Sequence, residues 1–261
     1  MSTNPSSDAL FSSIERFHGD RPWGAVLDAG TGLHSLQWIH ALPTTSWTAI
    51  TGAASRQRDL EAHFKPLGMR PTDRIHTGNW TDETLLHEEQ YDVVLADYLL
   101  GAIDGFAAFF QDRLFDRLRR HVAPDHGRLY VVGLEPYPDQ SSELGGRLVL
   151  EIARLRDACI LLAGHRCYRE YPRDWVHRSL ARAGFEVEES IAIPIVYRRR
   201  FVDGQLDVCV RKLPYIADLG LRRSLEAHIA DLRRRAHEYL MRAGTIPFGS
   251  DYVIAARRVR G

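Results

Sequence analysis

The segment 25–34, Ala-Val-Leu-Asp-Ala-Gly-Thr-Gly-Leu-His, constrains the fold of this chain more than any other. Its first apolar residues favour a strand, Asp28 comes where that strand should end, and Gly30 and Gly32 follow. Apolar residues then recur at helical spacing over 33–42. A strand, a glycine turn and a helix N-terminus in this order bring backbone N–H groups close to a ligand. The segment therefore predicts a site for a nucleotide-like small molecule in an α/β fold.

The size and charge of the chain limit the classes of protein to which it can belong. At 261 residues it is long enough for one large domain with a sizeable core, or for a domain with a cap. Lys+Arg and Asp+Glu balance at 34 each, so we expect no nucleic-acid partner and no binding to an anionic membrane.

Cysteine usage and the N-terminus indicate the cellular setting. Three cysteines without a CxxC pair favour neither a disulfide framework nor zinc, so we expect no metal. The polar residues 1–8 lack the apolar core of a signal peptide and are predicted to form a disordered tail. No apolar run approaches the roughly 20 residues of a membrane span. We expect a cytoplasmic protein.

Strand and helix patterns alternate through the first half of the chain. The residue pattern predicts strands at 47–51, 74–78, 91–96 and 128–134. Helical spacing predicts helices at 9–18, 55–67 and 106–121. This alternation is typical of a doubly wound, mostly parallel α/β sheet.

The second half of the chain is richer in helical patterns. Long helices are predicted at 143–164, 172–183 and 221–242, the last after a less regular stretch, and strands at 185–193 and 251–256. We therefore expect an N-terminal tail and lid helix at 1–20 and a main domain at 21–261. Helical insertions are expected at about 139–183 and 198–245. The second insertion fits either the rest of a lid or a homodimer surface.

The glycine turn lacks one feature of a dinucleotide site. Such a turn reads G-x-G-x-x-G, and its third glycine allows close packing of helix on strand. Here Leu33, His34 and Ser35 follow Gly32, so the third glycine is missing. This makes a pyrophosphate contact less favourable and leaves other nucleotide-like ligands open.

Four segments in this order resemble the motifs of the class I S-adenosylmethionine-dependent methyltransferases. They are Val-Leu-Asp-Ala-Gly-Thr-Gly at 26–32, Gly-Asn-Trp at 78–80, Asp-Val-Val-Leu-Ala-Asp at 92–97 and Val-Ala-Pro-Asp-His-Gly-Arg-Leu-Tyr at 122–130. The resemblance implies a Rossmann-like, seven-stranded sheet with 185–197 and 251–259 as a final antiparallel hairpin. It also implies S-adenosylmethionine as cofactor and S-adenosylhomocysteine as product.

The resemblance implies roles for the residues of the first motif. Asp28 would approach the methionine ammonium group of the cofactor. The turn of Gly30, Thr31 and Gly32 would let the cofactor lie against the backbone. His34, in place of a usual small residue, would reach the cofactor carboxylate.

Further roles fall on the ends of the next strands. Asn79 would offer its side-chain amide to the adenine edge, and Trp80 would flank the ring. Asp97 and Tyr98 would face the methionine part and the reacting centre. The resemblance also implies an acid for the ribose hydroxyls at the end of the second strand, where this chain has Thr51. A hydroxyl forms fewer and weaker hydrogen bonds than a carboxylate, so the means of holding the ribose is left open.

The substrate side is predicted from residues after the fifth strand. Glu135 closes that strand, and with Asp97, Tyr98 and His165 it is a candidate base for an acceptor that arrives protonated. Aromatic residues follow where the family builds a substrate lid, and they would form a small-molecule pocket: Tyr137, Tyr168, Tyr171, Trp175 and Tyr197.

The sequence thus predicts a methyltransferase that acts on an oxygen, nitrogen or sulfur nucleophile of a small molecule. Two alternatives stay open. One is a catalytically silent relative that works as a partner-binding protein, and the other is an enzyme similar to the aminopropyltransferases.

Overall fold

The computed structural model describes residues 9–259 and groups them into two compact units. Unit 1 consists of the described residues through 135, with 168–193 and the residues from 251 onward. Unit 2 consists of 136–167 and 194–250. The predicted tail at 1–8 lies outside the described residues.

Seven strands form one sheet in the order β3-β2-β1-β4-β5-β7-β6. The strands are β1 (Ala25–Asp28), β2 (Ser46–Thr51), β3 (Arg74–Thr77), β4 (Val93–Asp97), β5 (Arg128–Leu134), β6 (Phe185–Tyr197) and β7 (Ile246–Arg258). The pairs from β3 to β5 are parallel, whereas β7 runs antiparallel to β5, with Arg128 opposite Arg257 and Leu134 opposite Asp251. The predicted doubly wound, mostly parallel sheet is confirmed.

Nine α-helices lie in the described part of the chain. They are α1 (Ala9–His18), α2 (Leu33–Ala41), α3 (Ala54–Phe64), α4 (Leu99–Ala102), α5 (Gln111–Arg119), α6 (Leu144–Leu162), α7 (Arg173–Arg182), α8 (Arg199–Lys212) and α9 (Leu219–Ala243).

Two of these helices differ from the sequence prediction. The helix predicted at 106–121 begins only at Gln111, because Phe109 has a left-handed backbone (φ 66°) that no regular helix accommodates. Helix α8 replaces the predicted less regular stretch, since Val202, Leu206 and Cys209 recur at helical spacing and are all buried.

The sheet of unit 1 is covered by apolar side chains on both faces. Along β4, Val94 and Ala96 belong to one buried cluster, and Val93 and Leu95 belong to the other. Alternate side chains of a strand point to opposite faces, so this division places β4 in the middle of two core layers. A strand buried on both faces needs a continuous apolar run, which explains the pattern at 93–96.

Unit 2 has a separate helical core built from α6, α8 and α9. Leu148 and Ile152 of α6, Leu206 of α8, and Leu232 and Ala236 of α9 belong to one buried cluster. None of the helices formed by residues 9–259 is long and apolar enough to cross a membrane.

Candidate functional site

A cleft of about 260 Å³ lies at one edge of the sheet in unit 1. The carboxyl ends of parallel strands meet at the same edge, so the loops after β1, β2, β3 and β4 come together there. The lining consists of residues 29–31, 50–53, 78–80 and 102–103 with Arg56, Leu99, Phe106 and Tyr168. This volume is slightly below the roughly 300 Å³ at which small-molecule pockets usually begin.

The two glycines of the loop after β1 have different surroundings. A Cβ atom on Gly30 would lie 2.7 Å from Leu99 Cδ1, so glycine at this position allows α4 to approach the loop. A Cβ atom on Gly32 would meet no atom of the described residues within 4 Å. Packing therefore explains Gly30, whereas Gly32 has open space beside it and is not among the residues that line the cleft.

Asp28 is fully buried at the end of β1. Its Oδ2 atom accepts a hydrogen bond from Ser35 Oγ at 2.7 Å, and Gly32 N donates to the same Oγ at 3.1 Å. Its Oδ1 atom is buried and has no hydrogen-bond partner among the described residues. Burial raises the pKa of Asp28 to about 6, against the opposing effect of the hydrogen bond from Ser35. A cation beside Oδ1 would offset this burial cost.

Asn79 and Trp80 connect the loop after β3 to neighbouring loops. Asn79 Nδ2 donates to the carbonyl oxygen of Phe106 at 2.9 Å, and Trp80 Nε1 donates to the carbonyl oxygen of Ala29 at 2.7 Å. Trp80 is buried, so its ring forms the floor of the cleft. Both predicted residues line the cleft.

Phe106 also lines the cleft, although the sequence assigned it to a helix. Its side chain is 52% exposed. A Cβ atom on Gly52 would lie 2.5 Å from the Phe106 ring, so the ring packs directly on that glycine. An exposed ring over a glycine offers a flat apolar surface to a planar ligand.

Thr51 is buried at the end of β2 and lines the cleft. Its carbonyl oxygen accepts a hydrogen bond from Gly78 N at 2.9 Å. Among the described lining residues there is no carboxylate, and Arg56 is the one charged side chain. The sequence did not single out Arg56, because an arginine in a helical segment is ordinarily a solvated side chain.

Asp97 and Tyr98 lie at the end of β4, half-buried and outside the lining of the cleft. Tyr98 has a left-handed backbone with φ 48°, which costs a non-glycine residue roughly 1–3 kcal/mol. Two backbone hydrogen bonds stabilise it: Tyr98 N donates to Val132 O at 3.0 Å, and Ala102 N donates to Tyr98 O at 3.1 Å. Strain of this kind is common where a side chain must hold one functional orientation.

Other predicted site residues of unit 1 have structural partners. Glu135 Oε2 accepts a hydrogen bond from Arg173 N at 3.0 Å and so caps the start of α7. Tyr171 and Trp175 pack on each other with ring centroids 4.4 Å apart and against the core of unit 1. His34 lies exposed in the first turn of α2, outside the cleft lining, with its ring centroid 5.0 Å from that of Phe11.

The predicted substrate aromatics divide between the two units. Within unit 1, Tyr168 reaches the lining of the cleft and is 56% exposed. Within unit 2, the hydroxyl groups of Tyr137 and Tyr197 are hydrogen-bonded to each other. His165, a candidate base, also belongs to unit 2, where its ring centroid lies 5.3 Å from that of Tyr215.

The sheet order, the antiparallel β7 and the cleft at the strand ends define the class I methyltransferase fold. No protein-family model matches the chain, and no curated protein matches it either.

Solved structures agree with this assignment of the fold. A candidate methyltransferase from Bacillus halodurans C-125 is 14% identical with a TM-score of 0.61, over 97% of this chain and 99% of that one. An S-adenosylmethionine-dependent methyltransferase from Geobacter sulfurreducens, in complex with S-adenosyl-L-homocysteine, is 13% identical with a TM-score of 0.53 over 98% and 92%. The cyclase SpnF is 15% identical with a TM-score of 0.55 over 96% and 80%. These likenesses confirm the fold that the sequence motifs predicted.

Proposed function

We propose that the chain is an S-adenosylmethionine-dependent methyltransferase whose cofactor occupies the cleft of unit 1. The observation that carries the proposal is the buried Oδ1 atom of Asp28, which has no hydrogen-bond partner among residues 9–259. Asp28 is not itself among the lining residues, but it ends β1 directly before residues 29–31, which line the cleft. An ammonium group is the natural partner of such an oxygen, because a buried carboxylate is costly unless it is paired.

The remaining lining suits an adenosine moiety. Asn79 uses one of its two amide hydrogens on Phe106 O, which leaves the second for an adenine nitrogen. The Phe106 ring offers a face on which adenine can stack. Thr51, at the end of β2, would donate to or accept from a ribose hydroxyl group.

Bound in this cleft, the cofactor would supply an electrophilic methyl group on a sulfonium. Methyl transfer from a sulfonium is a direct displacement, so the protein contributes chiefly by orienting the acceptor and excluding water. Asp97 and Tyr98 would face the acceptor from the end of β4. Either side chain would take the proton of an oxygen, nitrogen or sulfur nucleophile that arrives protonated. The left-handed backbone of Tyr98 is held by its hydrogen bonds with Val132 O and Ala102 N.

The acceptor that we propose is a small molecule. The exposed phenol ring of Tyr168 at the cleft supports an apolar or cationic substrate, since an aromatic face binds both. The balanced charge of the chain gives no support to a nucleic-acid or membrane substrate. The free state of Cys159, Cys167 and Cys209 supports a reducing, cytoplasmic setting.

A labelling experiment tests the proposed activity. The protein is incubated with S-adenosylmethionine carrying a labelled methyl group and with a small-molecule extract of cells, and the extract is analysed for labelled metabolites. We expect one class of labelled metabolite, and the Asp97→Asn and Tyr98→Phe variants should show which side chain takes the proton. A wild-type protein that binds S-adenosylhomocysteine but labels no metabolite would instead be a catalytically silent relative.

A further inference from the structure

Arg56 is the one charged side chain among the described residues that line the cleft. It lies in the first turn of α3, its side chain is exposed and it lines the cleft. It forms no hydrogen bond or ion pair with any residue from 9 to 259. By contrast, Arg70, Arg74 and Arg117 of the same unit each have several partners.

The surroundings of Arg56 contain no compensating acid. The first turn of α3 has no acidic residue. The described lining of the cleft contains no carboxylate, and the end of β2 has the neutral Thr51. One corner of the cleft therefore has a single positive charge beside a hydroxyl group and the backbone of 52–53.

In this cleft a positive side chain is present where a ribose is usually bound by a negative one. A carboxylate accepts hydrogen bonds from both hydroxyl groups of a free ribose and repels an anionic substituent. A guanidinium group can only donate, and its planar fork matches two oxygens of a phosphate. An arginine in this region of an α/β sheet, in place of an acid, suits a phosphorylated ribose.

We propose that Arg56 makes this cleft bind adenosine nucleotides with a phosphate group on the ribose 2′ or 3′ oxygen more tightly than those with a free diol. The inference rests on the proposed function only in placing the adenosine moiety in the cleft. Nucleotides of this class would then compete with S-adenosyl compounds for the site. Thr51 would leave space for the substituent, since its side chain is short and uncharged.

Titration calorimetry with defined probes tests the role of Arg56. The probes are adenosine 2′-monophosphate and 3′-monophosphate, with adenosine, its 5′-monophosphate and S-adenosylhomocysteine as references. We expect at least one ribose phosphate to bind about tenfold more tightly than adenosine at low salt, because a guanidinium–phosphate pair is charge-assisted. The advantage should shrink as the salt concentration rises.

Two variants and a matched control make the test specific. Arg56→Ala should remove the tighter binding of the ribose phosphate relative to adenosine. Arg56→Lys should keep part of this difference in affinity, because lysine supplies a positive charge but not the planar fork of donors. Arg58→Ala changes an exposed arginine of the same helix outside the cleft lining, so affinities should not change.

The possible outcomes separate this inference from the proposed function. S-adenosylhomocysteine binding without any preference for a ribose phosphate would overturn the inference and leave the methyltransferase proposal intact. Tight binding of a ribose phosphate without S-adenosylhomocysteine binding would support the inference and overturn the cofactor proposal. Binding of neither would overturn both, and equal binding by Arg56→Ala and wild type would overturn the role of Arg56.

Discussion

The Asp28→Asn variant should bind S-adenosylhomocysteine about 100-fold more weakly than the wild type near neutral pH, because the ligand ammonium group loses a buried, charged partner. The same change should not destabilise the free protein. Asparagine can still accept the hydrogen bond of Ser35 Oγ, and it removes a carboxylate whose burial is costly. A displacement of the Asp28 pKa from 3.8 to about 6 corresponds to a cost on the order of 3 kcal/mol.

The raised pKa of Asp28 also fixes how stability and affinity depend on pH. The free native protein keeps this carboxyl group protonated below about pH 6, whereas the unfolded chain ionises it near its ordinary pKa of 3.8. The contribution of Asp28 to stability is therefore present at low pH and is lost as the pH rises through about 6. A bound ammonium group favours the ionised form, so ligand binding releases a proton. The Kd should rise about tenfold per pH unit below about pH 6.

The control for Asp28 is a buried carboxylate with a structural role. Asp73 is buried directly before β3, where its two oxygens accept hydrogen bonds from Trp47 N, Arg70 N and Arg70 Nε. Asp73→Asn should lower the melting temperature and leave the affinity for S-adenosylhomocysteine unchanged. If Asp28→Asn behaved in the same way, losing stability and keeping affinity, Asp28 would be structural.

The Arg117→Met variant should lose about 3 kcal/mol of unfolding free energy, since several polar groups lose a charged donor at once. Arg117 is only 4% exposed. Its guanidinium group donates to Leu85 O at 2.6 Å and to Asp82 O at 3.2 Å, and it also donates to the His121 ring. It lies 5.5 Å from the centroid of the Trp80 ring, beneath the loop that lines the cleft. Methionine would keep the apolar stem and lose every one of these contacts.

Chemical denaturation measures the effect, with Arg113→Met as the control on the same helix. Arg113 is exposed, and within residues 9–259 its guanidinium group interacts only with the face of Phe110, at 5.8 Å from the ring centroid. Its replacement should change stability by less than about 0.5 kcal/mol. Equal losses for the two variants would contradict the supporting role of Arg117. A loss confined to Arg117→Met should be accompanied by weaker S-adenosylhomocysteine binding, because the loop of Asn79 and Trp80 loses its support.

The sequence predicted the sheet well because each central strand is buried on both faces. A continuous apolar run such as 93–96, within an α/β alternation, is best explained by a strand that is buried on both faces. Helix α8 escaped prediction because its buried positions are few and lie among charged residues, so only tertiary packing reveals the pattern.

The candidate site was predicted in part, for a similar reason. Thr51, Asn79 and Trp80 lie at or just after the ends of parallel strands, so the order of the strands in the sequence is enough to predict that they line the cleft. Phe106 and Arg56 reach the cleft through loop and helix geometry that no local pattern encodes. The aromatic residues after β5 were predicted to form one substrate pocket, but only Tyr168 lines the cleft, whereas Tyr171 and Trp175 pack on each other. Residue type alone does not show which aromatic side chains belong to a core.

The central claim is that the cleft of unit 1 binds an S-adenosyl compound through Asp28. Its most direct test is a calorimetric titration of the wild-type protein with S-adenosylhomocysteine near neutral pH. We predict one site per chain, a Kd in the micromolar range and a heat that varies with buffer ionisation near pH 6. The absence of both binding heat and a thermal shift at millimolar ligand would contradict the claim.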